Sequence, residues 1–274
     1  MDSLTSSSEI GLFYCDMPNF GDLLSKAVVE LMSGRPAAWA SPAEADLCAI
    51  GSLFGLIHKR LAQKPRPADR RKLIVWGSGC MKPEPREILG NMTVVAVRGP
   101  ITATLLGLRS DIPMGDPGLF AADLLDTEST KDDVIGIVPH HELATDPRLR
   151  DLVKQEAALR LIDVRTKDPI AVIRQIASCR FILSSSLHGL IVADSLGIPN
   201  EWMDPTGNHQ CPELKFHDYA ASIGRRLKRP MELGDIAARL PSLGAQGICY
   251  ADGIQESKEE LRRSFESVRA LLAL

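Results

Sequence analysis

The sequence lacks the features that would carry a chain into or across a membrane. No stretch reaches the ~18 uninterrupted apolar residues of a spanning helix. Even the apolar region 181–198 is broken by serines, His188 and Asp194. Residues 1–10, MDSLTSSSEI, contain no basic segment and no apolar one, so they do not read as a secretory signal. The expectation is cytoplasmic residence, with at most peripheral contact at the inner face of a membrane. Positive charge is not in surplus either: 32 basic residues face 35 acidic ones, for a formal charge of -3. That balance provides no broad field for a phosphate backbone and argues against nucleic acid as a partner. The six cysteines (Cys15, Cys48, Cys80, Cys179, Cys211 and Cys249) form no CxxC pair. A zinc knuckle and a dithiol redox motif are therefore not indicated, and buried thiols are the simpler expectation. There is no short-period repeat, and the only biased tract is the serine cluster Ser6 to Ser8.

What is present is an alternation of short apolar runs with longer amphipathic stretches. This pattern builds parallel sheets covered by helices and sets the class as α/β. With 274 residues and 45% hydrophobic content, the chain can fill two modest cores. The first half reads as strands over 10–14, 46–50, 73–76 and 93–97, with helices over 22–32 and 101–106. A polar stretch over 126–133 reads as a linker. After it come strands over 134–138, 161–164, 181–184 and 201–203, and helices over 148–159, 169–178 and 187–196. The expected division is 1–125, 134–254 and a terminal helix over 255–274, whose Leu261, Phe265, Val268, Leu271 and Leu272 recur at helical spacing. That helix should pack on a domain, crossing back to the first half being one option.

The sharpest local feature is Ser184-Ser185-Ser186-Leu187-His188-Gly189, where an apolar strand feeds a helix. Hydroxyls and free N–H groups at a helix start form an anion site, and in an open α/β domain this edge faces ligand. A helix histidine taken alone is more often structural; beside this turn the two readings are nearly balanced. In Asn19-Phe20-Gly21-Asp22 the plain reading of Asp22 is a helix cap. Trp76-Gly77-Ser78-Gly79 is a glycine-rich turn without the spacing of a dinucleotide or P-loop motif. Arg98 ends a strand and could form a bidentate fork on carboxylate or phosphate, against a surface ion pair as the plain reading. Asp116 reads as a turn former. His140 and His141 end another strand, and adjacent histidines share no face, so a metal pair is not expected. Lys215, in a basic and aromatic segment that continues to Arg225, could contact sugar or phosphate or be a solvated helix start.

Taken in order, NFGD, WGSG, VRGP, GDPGL, VPHH, SSSLHGL and KFHDY resemble the polysaccharide pyruvyl transferase family, nearest its exopolysaccharide ketal-pyruvate branch. The resemblance runs from about residue 11 to about residue 226. It implies two Rossmann-like domains facing a cleft, similar to GT-B glycosyltransferases, with the acceptor on the first domain and the donor on the second. It further implies phosphoenolpyruvate as donor and, as acceptor, a sugar with two suitable hydroxyls, free or on a lipid-linked oligosaccharide. Many relatives carry an arginine where this chain has Ser186, which shifts attention to Arg98, Lys215 and Arg225 as cations for the donor.

Ketal formation from an enol phosphate requires an acid, a base and cations. His188 is the leading acid or phosphate contact, with His140 and Asp22 next for proton handling. Arg98 and the Ser184, Ser185 and Ser186 hydroxyls would hold the donor, and Asn19 and Ser78 would orient it. No metal and no cofactor beyond the donor itself are expected. The rival readings are a glycosyltransferase or nucleotide-sugar epimerase of the same shape, and a non-catalytic carbohydrate-binding component.

Overall fold

The computed structural model describes residues 9–17, 19–127, 130–205, 211–245 and 247–273. The serine cluster Ser6 to Ser8 and, within the linker, Glu128 and Ser129 lie outside the described residues.

The first half forms one parallel sheet in the order β2-β1-β3-β4-β5. Its strands are β1 (Ile10–Phe13), β2 (Ala37–Trp39), β3 (Leu47–Cys48), β4 (Leu73–Ser78) and β5 (Met92–Val97). Two helices lie between them, α1 (Phe20–Ser33) and α2 (Phe54–Gln63), and α3 (Pro100–Leu106) follows β5. The expected early elements are there, but β2 and α2 have no counterpart among them. β2 is three residues long and α2 is only half apolar, so neither pattern stands out. β4 is buried at all six positions, the continuous burial of a central parallel strand.

The second half repeats the arrangement in a four-stranded parallel sheet of order β7-β6-β8-β9. The strands are β6 (Ile135–Val138), β7 (Leu159–Leu161), β8 (Phe181–Ser184) and β9 (Asn200–Trp202). The helices are α4 (Pro147–Gln155), α5 (Pro169–Ala177), α6 (Leu187–Ser195) and α7 (Leu214–Ser222). α5 begins as its sequence indicates: Asp168 accepts from the Ile170 and Ala171 N–H groups, and Pro169 occupies the first turn. The strand expected over 161–164 lies two residues earlier, because α4 ends at Gln155 instead of running to 159.

A short helix α8 (Ile236–Arg239) precedes the long α9 (Ala251–Leu272). α9 does cross back: it packs on β4 and β5, and Trp76 Nε1 donates to Leu261 O at 3.2 Å and to Ser264 Oγ at 3.0 Å. The indole stacks on Phe120 and meets Phe265 edge-on. One apolar cluster accordingly runs through both halves, joining Leu12, Phe20 and Leu24 to Ile162, Ile173, Ile182 and Val192 and to Leu261, Phe265 and Val268 of α9.

Both sheets reverse strand order once, between β1 and β3 and between β6 and β8. Ligands of open α/β sheets bind beyond the carboxyl ends of strands at such a reversal. Asn19 and Asp22 follow β1, His140 follows β6, and the serine turn with His188 follows β8. A 3-10 segment, Pro117–Leu124, packs against both α1 and α6 and so sets these two reversals beside each other.

Candidate active site

The first turn of α1 and the first turn of α6 meet at Gly21. A methyl at Gly21 would fall 2.0 Å from His188 Nδ1, so only a bare Cα lets the imidazole lie where it does. One residue on, the Asp22 carboxylate Oδ2 accepts from Asn19 Nδ2 at 2.9 Å. The Asn19–Asp22 pair is thus both a local turn feature and one wall of the site. The plain cap reading fails, because no side-chain bond caps α1.

Three ionisable groups are perturbed here, each chiefly by loss of water. Burial raises Asp22 to about 6, against opposing contributions from the Asn19 hydrogen bond and the Lys215 charge. Burial lowers His188 to about 3, and the positive charges of Lys215 and Arg98 add to the effect. Burial also lowers Lys215 to about 8, with Arg98 pushing the same way and Asp22 and Glu142 opposing. Near neutral pH the trio is therefore a carboxyl that is mostly ionised but still protonated in part of the population, a neutral imidazole and a mostly protonated ammonium. Shifts of this size in grouped residues from separate elements are a mark of a working site. His188 Nε2 is buried with no partner among the described residues, an acceptor or donor held ready for a ligand.

The serine turn is arranged differently from the expectation. Ser184 Oγ donates to Val138 O at 2.8 Å or Ser186 O at 2.7 Å and accepts from Ser186 N at 3.0 Å. Ser185 Oγ accepts from His140 N at 2.9 Å. Both side chains are fully buried and bind β6 to β8. Gly189 serves the same packing, since a methyl there would strike Ser184 Oγ at 2.3 Å. What α6 does offer is the backbone N–H groups of Leu187 and His188 and the Ser186 hydroxyl, none hydrogen-bonded among the described residues. Those are the orphan donors of a helix start.

Arg98 also departs from the expected role. Its Nε donates to Asp218 Oδ2 at 3.0 Å, Nη1 to Ser52 Oγ at 2.7 Å and Nη2 to Cys80 O at 3.0 Å, in full burial. Each of its three nitrogens already has a partner, so Arg98 is tied into the fold and adds its positive charge to the site. Asp218 further accepts from Thr102 N and Thr102 Oγ1 at 2.9 and 2.6 Å, which clamps α7 to α3 and thereby sets Lys215 one turn away. Arg225 is likewise occupied, donating to Asn200 Oδ1 at 2.7 Å and Asn200 O at 2.8 Å beside the buried Asp194. Ser78 donates to Gly51 O at 2.7 Å and is a strut under the first sheet. His140 Nδ1 lies 3.6 Å from Glu142 Oε2, and through Glu142 it touches the electrostatics of Lys215.

Asp116, a turn former by its sequence context, does cap the 3-10 segment by accepting from Gly118 N at 2.9 Å. Its other oxygen, however, is buried without a partner among the described residues, and burial raises its pKa to about 6. Beside the serine turn a cavity of about 250 Å³ is lined by Ser185, Met203 and the carboxylates Asp146, Asp204 and Glu232. Three carboxylates with only Arg148 for balance make it a poor seat for an anion. Among the described residues no group of three or more His, Cys, Asp or Glu side chains is placed to hold a metal.

Comparison with known proteins bears on this arrangement. An uncharacterized protein of Acanthamoeba polyphaga mimivirus is 36% identical over 208 residues, covering 69% of this chain and 71% of that protein. The succinoglycan biosynthesis protein ExoV of Rhizobium meliloti (strain 1021) is 33% identical over 132 residues, 47% of this chain and 40% of its own length. Among solved structures, an uncharacterized protein from Klebsiella pneumoniae subsp. pneumoniae superposes with a TM-score of 0.50 at 13% identity, over 82% of this chain and 92% of that one, a likeness of fold alone. A family model matches residues 44–204, a span that contains Arg98, Asp116, His140 and the serine turn with His188 and stops short of Asn19, Asp22 and Lys215. That match takes in more than half of the chain, and by it the chain belongs to the polysaccharide pyruvyl transferase family.

Proposed function

We propose that this chain transfers pyruvate from phosphoenolpyruvate to a sugar of an exopolysaccharide or of its lipid-linked precursor, forming a ketal and releasing phosphate. The observation that carries the reading is the grouping of Asp22, His188 and Lys215 at the two sheet reversals, on α1, α6 and α7. We read the chain as two Rossmann-like units, 1–125 and 134–254, in a GT-B-like arrangement, with donor held by the second unit and acceptor presented from the first.

In the reaction the methylene C3 of the donor gains a proton and C2 becomes oxocarbenium-like. One sugar hydroxyl adds to C2 and loses its proton. The second hydroxyl then takes the place of phosphate, whose departure carries away the other proton. Asp22, titrating near 6, is the acid for C3, since it still holds a proton in part of the population near neutrality. From sequence His188 is the first choice for that task, but an imidazole held near 3 has no proton to give. Its unpartnered Nε2 instead accepts from a sugar hydroxyl, and the negative donor, once bound, raises its basicity. Lys215 and the free N–H groups of α6 hold phosphate and carboxylate oxygens. No cofactor takes part in this scheme.

The test is release of inorganic phosphate from phosphoenolpyruvate with a lipid-linked oligosaccharide, followed by mass analysis of the saccharide for a pyruvate adduct. Phosphate release with no adduct, or a melting shift from nucleotide sugars and none from phosphoenolpyruvate, sinks the reading.

A further inference from the structure

The second half has another cavity, of about 750 Å³, along the edge strand β9 and at the amino end of β8. Phe181 and Asn200, where those strands begin, line it, whereas the serine turn and α6 leave from the carboxyl end of β8. At ~3.3 Å per residue the length of β8 puts roughly 10 Å of sheet between the two places. Five cations, Arg225, Arg226, Lys228, Arg229 and Arg239, face a single carboxylate, Glu201, around this cavity. In a chain of formal charge -3 that is a local separation of charge, and the ion pairs do not cancel it. Arg225 is engaged with Asp194 and Asn200, Arg229 with Glu232, and Arg239 with Glu201 at 3.4 Å. Arg226 and Lys228 are exposed and have no acidic partner among the described residues.

The segment that presents these two is fixed from behind. The Arg225 guanidinium sits 4.9 Å over the Tyr250 ring and donates twice to Asn200, and the Lys228 carbonyl accepts from Trp202 Nε1 at 2.7 Å. Two unpaired cations, two residues apart on a held backbone, border a space of the size that small-molecule ligands occupy. A pair of positive charges matches one doubly charged oxyanion.

We propose that this cavity is a second ligand site, separate from the residues grouped around His188, and that it takes a phosphate group, as a phosphate ester or a diphosphate, on Arg226 and Lys228. The phosphate comes either from a soluble molecule or from a lipid headgroup, and the two sources separate by experiment. Inorganic pyrophosphate is titrated calorimetrically into the full chain and into Arg226→Glu/Lys228→Glu, with Arg226→Gln/Lys228→Gln as a milder partner. All three proteins are also floated with vesicles of phosphatidylcholine containing phosphatidic acid. Reversal of the two charges weakens pyrophosphate binding at least tenfold, or abolishes vesicle retention, while phosphate release from phosphoenolpyruvate is unchanged. Pyrophosphate loss without any vesicle retention in the unmodified chain assigns a soluble ligand, and loss of vesicle retention assigns a headgroup. Equal pyrophosphate affinity and equal flotation in all three proteins overturns the proposal, as does a parallel fall in phosphate release, which would make these cations part of the His188 site.

Discussion

Replacing Asp22 by Asn removes the proposed proton donor and at the same time a charge that the fold holds at a loss. A carboxyl that titrates near 6 in the folded chain against an ordinary value of 3.8 disfavours the folded state by about 3 kcal/mol once it is fully ionised, at ~1.4 kcal/mol per tenfold. The sign follows from the direction of the shift. Below the ordinary value the group is protonated folded and unfolded, and its full contribution to stability is present. That contribution disappears as pH rises through about 6. The substituted side chain keeps an amide oxygen to accept from Asn19, so most of the relief should be realised. Asp22→Asn should melt with the unmodified chain at pH 4 and roughly 5 °C above it at pH 8, for a chain of this size. Calorimetric melting across that range measures it. Pyruvate transfer should fall ~10²- to 10⁴-fold over the same range, the usual worth of a positioned acid. A melting difference that stays constant between pH 4 and pH 8, or an Asp22→Asn enzyme of normal rate, refutes the assignment of Asp22 and the burial argument behind it.

Other expectations rest on the same geometry. Gly21→Ala should keep the fold, because the imidazole can swing away, yet lower transfer by ~10²-fold through misplacement of the ring, read as kcat against an unchanged melting curve. Lys215→Met removes a charge that lowers Asp22, so the alkaline limb of kcat/KM should move to higher pH and KM for phosphoenolpyruvate should rise; an unmoved limb would separate Lys215 from Asp22. Asp218→Asn leaves the Arg98 guanidinium buried without its counter-charge and should destabilise the chain by about 3–5 kcal/mol in a denaturant titration. His188→Ala should abolish transfer with the fold intact, and a rate close to normal would remove the imidazole from the scheme.

The layout of the chain is largely legible in its sequence because parallel α/β units announce themselves as apolar runs between amphipathic ones. β5, α5 and α6 fall within a residue or two of where that pattern puts them. The short strand β2 lacks enough residues for any period to show. The site is legible in its membership and much less so in its roles. The motifs single out Asp22, His188 and Lys215 individually, but spacing along a chain carries no information on which groups lose water together. Arg98 looks like a ligand because nothing local opposes it; the carboxylate that occupies it is 120 residues away. Ser184 and Ser185 draw attention as hydroxyls at a helix start, yet the same hydroxyls are what close the junction of β6 and β8. Asp116 shows the converse, a turn residue whose unsatisfied oxygen only burial makes visible.

The docking of α9 onto β4 has a consequence for how the molecule is made. Trp76 leaves the ribosome early, whereas Leu261, the residue whose carbonyl receives its indole N–H, follows 185 positions later. Until then the first sheet has one flank uncovered, and an apolar surface that size invites a holding chaperone or an unwanted neighbour. The flank of the first sheet that α9 covers is therefore completed only after the second sheet has been made, even though each half has a sheet of its own.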